Sequence, residues 1–159
     1  MYIPMDMVLK MATSNQKGAY GETVIRDKLR QLTGLQWERV PSSGALDPKH
    51  GLKADLYLPG QNNIYAVECK NYTEEQFSSK LLSSKNPKLL EFWEQAMRQG
   101  HQVNKKPLLI FKFDRSKLFV AYENIPNTVD HVFISVGVYQ FYVSLLEDWI
   151  LQEKPIFIQ

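Results

Sequence analysis

The stretch from Asn63 to Tyr72, NIYAVECKNY, restricts this chain most, because an acid and a lysine two residues apart interrupt a run that is otherwise mostly apolar and aromatic. Such a run reads as a strand, and strand side chains alternate between faces. Glu68 and Lys70 therefore point the same way, while Val67 and Cys69 face the opposite side and pack in the core. The preceding short run, ADLYLP, is separated from it by Gly60-Gln61-Asn62-Asn63, residues that tolerate the positive φ of a tight connection, so the two runs read as a hairpin. That hairpin brings Asp55, near the start of its first strand, towards Glu68 and Lys70. Taken alone, E-x-K reads more readily as an exposed ion pair on a half-solvated strand. Two carboxylates in one pocket repel each other, and the arrangement makes physical sense mainly when a hard cation neutralises them.

Upstream, Ile25, Leu29 and Leu32 recur at helical spacing from Lys17 to Thr33, with Ser14 or Asn15 available as a cap and Gly34 as the stop. Glu22 lies on the same stripe, one turn before Ile25. A buried acid there needs a partner, either a metal or an arginine such as Arg26 or Arg39, unless it lies at the edge of the stripe near the helix start, where an acid suits the dipole. LQWERV (Leu35 to Val40) reads as a short strand, and PSSGALDPKHGLK as a loop. Residues 73–85 read as loop or weak helix. Asn86-Pro87 starts a second long helix whose Leu89, Leu90, Trp93, Ala96 and Met97 stripe ends at Gly100. PLLIFKF, KLFVAY and HVFISVGVYQFYV supply further strands, and Ser144 with Glu147 has the spacing of a capping box on a last short helix. The order predicts one mixed sheet covered by helices, an α/β domain spanning 1–159 with an irregular arm over 1–13.

Bulk properties exclude several classes. No apolar run approaches the roughly 18 residues of a membrane span. One cysteine and three scattered histidines leave no internal disulfide and no Cys/His zinc cluster. Nineteen Lys+Arg against seventeen Asp+Glu is only mildly basic, so net charge by itself does not argue for nucleic acid. The expected compartment is a reducing cytoplasm, the host's if the source is a virus.

Helix Glu22, strand Asp55 and then Glu68-Cys69-Lys70 resemble the PD-(D/E)XK nuclease pattern, with Ala54 where a proline is usual. Within that superfamily, Arg39 to Gly44 (RVPSSG) and Gly18 to Glu22 (GAYGE) resemble the archaeal-type Holliday junction resolvases. The resemblance covers roughly residues 17 to 113 and implies a restriction-endonuclease-like fold. It also implies a homodimer that nicks a four-way DNA junction symmetrically, in recombination or repair. Carried over, it makes Glu22, Asp55 and Glu68 metal ligands, joined by the Cys69 backbone carbonyl. Lys70 would position the attacking water, Ser43 or Ser42 would touch the scissile phosphate, and Arg39 would bind backbone phosphate or hold the loop. All-oxygen ligands suit Mg²⁺, with Mn²⁺ substituting.

Lys49, Lys53, Lys80, Lys85 and Lys88 flank the site in sequence and are candidates for phosphate contact, although loop lysines are usually just solvated. Asp47, His50 and Gln95 are weaker candidates for assisting the metal, the leaving group or a phosphate. Trp37, Trp93 and Trp149 fit core packing better than base stacking. Val138 to Val143 and Pro155 to Ile158 are apolar enough to bury against a twin chain. Two other functions compete: a restriction-like or repair endonuclease of the same fold, and a non-catalytic DNA-binding module.

Overall fold

The computed structural model describes residues 14–41 and 54–159, with side chains from residue 20 onward. The expected arm over 1–13 and the loop residues Ser42, Ser43, Asp47, Lys49, His50 and Lys53 lie outside the described residues.

Helix α1 runs Ser14–Thr33 and buries Ile25 and Leu29. It stops at Gly34, whose φ of 72° suits a residue without a side chain and whose N–H donates to the Arg30 carbonyl at 2.9 Å. The next residues stay tied to the helix end. The Trp37 indole donates to Thr33 Oγ1 at 3.0 Å, and the Arg30 guanidinium donates to the Trp37 carbonyl at 2.8 Å and to Glu38 at 2.6 Å. Only Glu38–Arg39 therefore pairs as strand β1, shorter than the six-residue strand the sequence suggests.

Strands β2 (Leu56–Tyr57) and β3 (Tyr65–Tyr72) form the expected antiparallel hairpin with Leu56 opposite Val67. The Asn63 side chain closes the connection, accepting from the Leu58 N–H at 2.7 Å and donating to the Leu58 carbonyl at 2.9 Å. After a single helical turn, α2 (Lys80–Ser83), helix α3 (Lys88–Gln102) carries the chain across to β4 (Lys106–Phe113), which lies parallel to β3. Leu89, Leu90, Trp93 and Ala96 are buried beneath α3, with Trp93 stacked on Phe141 at 4.6 Å between ring centroids. The helix continues two residues past Gly100, where a Cβ would come within 2.7 Å of the Lys105 carbonyl oxygen.

Strands β5 (Phe119–Tyr122), β6 (Val132–Val136) and β7 (Tyr139–Leu145) and helix α4 (Leu146–Glu153) complete a seven-stranded sheet of order β1-β2-β3-β4-β5-β7-β6. β3 and β4 are its one parallel pair, and all other pairs are antiparallel. One apolar layer joins Val67, Cys69, Leu108 and Ile110 to α1 and α4. The other joins Tyr72, Leu109 and Phe111 to α3. This is the mixed, helix-flanked sheet of the restriction-endonuclease-like fold.

Two local expectations fail. Ser144 does not cap α4: it is buried in β7 and its hydroxyl bonds the Tyr122 hydroxyl at 2.7 Å. Three of the apolar residues expected to cover a twin chain already fill this chain's own core. Phe141, Val143 and Phe157 are buried, which leaves Val138 and Ile156 exposed.

Candidate active site

Asp55 lies immediately before the two-residue strand β2. Its N–H donates to the Val67 carbonyl at 2.8 Å, its own carbonyl accepts from the Val40 N–H at 2.8 Å, and its Oδ2 accepts from the Cys69 N–H at 2.7 Å. Glu68 lies on the α3 side of β3 and is 2% exposed. Its Oε1 accepts from the Gln95 amide at 3.0 Å and lies 3.3 Å from the Lys70 ammonium, while its Oε2 is fully buried. The ammonium also stands 4.8 Å from the centroid of the Phe92 ring, a favourable cation–π position. Helix α1 passes close to the far end of β3, since a Cβ on Gly21 would lie 3.5 Å from that of Asn71. The next residue, Glu22, accepts from Arg39 Nε at 2.9 Å through its Oε2.

Burial and mutual repulsion raise the proton affinity of this group. Burial, then the negative charge of Glu68, pushes the Asp55 carboxyl up to about 8, against the Cys69 N–H that favours the ionised form; Glu22 adds to the rise. Burial also raises Glu68, with Lys70 opposing, Glu22 adding to the shift and a hydrogen bond with the protonated Asp55 side chain opposing it. Burial pushes the Cys69 thiol well up, as expected of a core residue. Among the described residues, no three His, Cys, Asp or Glu side chains are already drawn together as a bound ion would draw them. The donors nevertheless fit a hard divalent cation. They are oxygens, one carboxylate oxygen is fully buried, and a cation would offset the burial and the repulsion that keep Asp55 protonated.

A pH dependence follows. The folded Asp55 holds its proton up to about 8, whereas an unfolded aspartate releases it near 3.8. The folded state therefore binds more protons in that window, and its stability is full below the lower value and falls as pH rises through the upper one. In chelator, the Tm is expected to drop between about pH 5 and pH 8. Added Mg²⁺ should raise it by an amount that grows with pH, because the ion binds the deprotonated group. A scan of Tm against pH with and without Mg²⁺ checks both statements.

The structure thus brings together Glu22, Arg39, Asp55, Glu68, Lys70 and Gln95, from five separate segments. Arg39 engages Glu22, the bland partner the sequence allowed for that acid. Gln95, a weak candidate from sequence, is a direct partner of Glu68. Lys80 and Lys88 are exposed and lie 3.8 and 3.7 Å from Glu74 and Glu91; like exposed Lys85, they contact none of the central group. Two neighbours escaped sequence reading. One is Phe92, beneath Lys70. The other is Tyr72, whose buried hydroxyl lacks a partner and is held above its usual range by burial and then by Glu68. The strand alternation that pairs residues 68 and 70 extends to 72 and was the available signal for Tyr72.

Comparison with known proteins gives the family of the chain. The family described as "Phage putative PDDEXK endonuclease" matches residues 13–151, from the start of α1 into α4. The chain belongs to this family. It is also 40% identical over 146 residues to Protein D14 of Escherichia phage T5, an alignment covering 86% of this chain and 91% of that one. No solved structure matches significantly. Family membership makes the chain a PD-(D/E)XK nuclease, a class that usually works with divalent metal ions.

The departure from the PD-(D/E)XK motif at Ala54 has a backbone correlate. Ala54 has φ 72°, which a proline ring locked near −65° cannot adopt. Ala54→Gly is expected to stabilise the protein by about 0.5–1 kcal/mol, relief of left-handed strain being partly offset by unfolded-chain entropy. Ala54→Pro, although it restores the usual motif residue, should cost roughly 3 kcal/mol. Chemical denaturation of the two variants measures both.

Proposed function

We propose that this nuclease resolves four-way DNA junctions by symmetric paired nicks, acting as a homodimer in the host cytoplasm with Mg²⁺, for which Mn²⁺ substitutes. The observation that carries the hydrolytic reading is the part-buried Asp55–Glu68–Lys70 group, in which the buried Glu68 carboxylate meets the Asp55 side chain, with Glu22 within electrostatic reach. The junction reading rests on the resemblance of Arg39 to Gly44 to the resolvase loop.

In this reading Glu22, Asp55 and Glu68 hold the ion, with the Cys69 carbonyl as a further donor. When bound, the ion supplies water activation and neutralises charge on the phosphate. Lys70, fixed between Glu68 and the Phe92 ring, presents an ammonium to the attacking water. Gln95 fixes the Glu68 carboxylate through its Oε1. Arg39 exchanges between Glu22 and a backbone phosphate. Ser42 or Ser43 contacts the scissile phosphate. Lys49, Lys53, Lys80, Lys85 and Lys88 contact flanking phosphates, and Asp47 and His50 assist the leaving group.

The test incubates the protein and Mg²⁺ with a labelled four-way junction, a matched duplex and a flap, with Asp55→Ala as control. Paired nicks confined to the junction are expected. Equal cutting of plain duplex would move the assignment to a restriction-like or repair endonuclease. No cutting with either Mg²⁺ or Mn²⁺ would leave a DNA-binding module.

A further inference from the structure

Strand β6 ends the sheet, pairing with β7 on one side and with no strand on the other among the described residues. Edge strands in soluble proteins are normally blunted by lysine, proline or a bulge, since their free N–H and C=O groups are a template for another strand. This one is not blunted. Val132 to Gln140, VFISVGVYQ, contains no charged residue and no proline, and Val132, Phe133 and Val138 are 55%, 50% and 89% exposed. Ile134 is buried against the α3 layer and fixes which face of the strand turns inward.

We infer that the β6 edge is where two copies of this chain join, antiparallel, into one continuous fourteen-stranded sheet. A second copy is the occupant because the edge complements itself. An antiparallel pairing centred on Ile134 sets Val132 against Val136 and Phe133 against Ser135, β-branched against β-branched and ring against a small residue. It also sets Asp130 against Val138, so no charge meets its like, whereas a parallel in-register pairing would place Asp130 beside Asp130. The pairing closes both long edges and leaves, among the described residues, only the two-residue β1 strands at the ends of the joint sheet. A five-residue strand pair with two exposed apolar side chains, and Val138 in the turn beyond, lies at the small end of stable interfaces, so the dimer exchanges in the micromolar range.

The two-fold axis of such a pair is perpendicular to the sheet, so both copies of the Asp55–Glu68–Lys70 group lie on the same face. Nine strand spacings of roughly 4.8 Å separate the two β3 strands, about 43 Å in a flat sheet and less once it twists. One face carrying two sites is what paired nicking of a single DNA molecule needs. That consequence rests on the proposed function, but the dimer does not.

Sedimentation velocity of the full chain, read without any activity measurement, tests the interface separately from the chemistry. The wild type should shift from monomer to dimer as its concentration rises to tens of micromolar. F133K/S135K places lysines opposite one another across the two-fold and should stay monomeric throughout while keeping the wild-type circular dichroism spectrum. Mixing it with F133E/S135E should restore the dimer, which a merely misfolded variant could not do. A wild type that stays monomeric, a lysine variant that still dimerises, or a mixture that fails to pair would each overturn the interface.

Discussion

Asp55→Asn is expected to lower the rate of strand cleavage by roughly three orders of magnitude, the equivalent of several kcal/mol of lost charge stabilisation at 1.36 kcal/mol per tenfold. The same variant should bind DNA at least as tightly as the wild type, since a negative charge is removed beside the phosphates. It should also be more stable than the wild type at pH 8 without metal. The carboxyl is held up to about 8 by burial and by Glu68, and an amide there has nothing to ionise while its oxygen still accepts from the Cys69 N–H. Loss of activity together with gain of stability is the signature of a group placed for chemistry. Single-turnover cleavage, DNA titration and thermal melts of one variant check the three outcomes together. A variant that lost stability as well would make Asp55 a structural residue.

Lys70→Met is expected to reduce the single-turnover cleavage rate by roughly two to three orders of magnitude, the range seen when one preorganised donor to a developing charge is removed. Junction affinity should be nearly unchanged, because Lys70 is only 24% exposed and stands against Glu68 and the Phe92 ring. The split between rate and affinity is the point of the measurement. A collapse in affinity with a modest effect on the rate would make Lys70 a phosphate-binding residue.

Much of this site was legible because strand alternation is a strong rule. Glu68 and Lys70 had to share a face once the surrounding run was read as a strand, and the hairpin then delivered Asp55, as the Leu56–Val67 register bears out. Glu22 was legible as an acid on the stripe of Ile25 and Leu29. What held it was not, since both an arginine and a metal satisfy a buried carboxylate, and Arg39 lies against it in this structure. Gln95 looked like one more polar residue on an amphipathic helix. Its contact with Glu68 depends on where α3 crosses β3, which no local pattern encodes. Ser144 misled for a related reason: its spacing from Glu147 fits a cap, but pairing of β7 with β5 turns its hydroxyl to Tyr122. Leu35 to Val40 was overread as strand because β propensity says nothing of the Arg30 and Thr33 contacts that tie Trp37 to the helix end.

The central claim is that the Asp55 and Glu68 carboxylates, with Glu22, form a place for one divalent ion. Titration of the metal-free protein with Mn²⁺ near neutral pH tests it most directly, following bound ion and released protons together. One ion per chain is expected, with about one proton released as Asp55 ionises and binding lost in Glu68→Gln. A wild type that takes up no ion, or a Glu68→Gln variant that binds it as tightly, would contradict it.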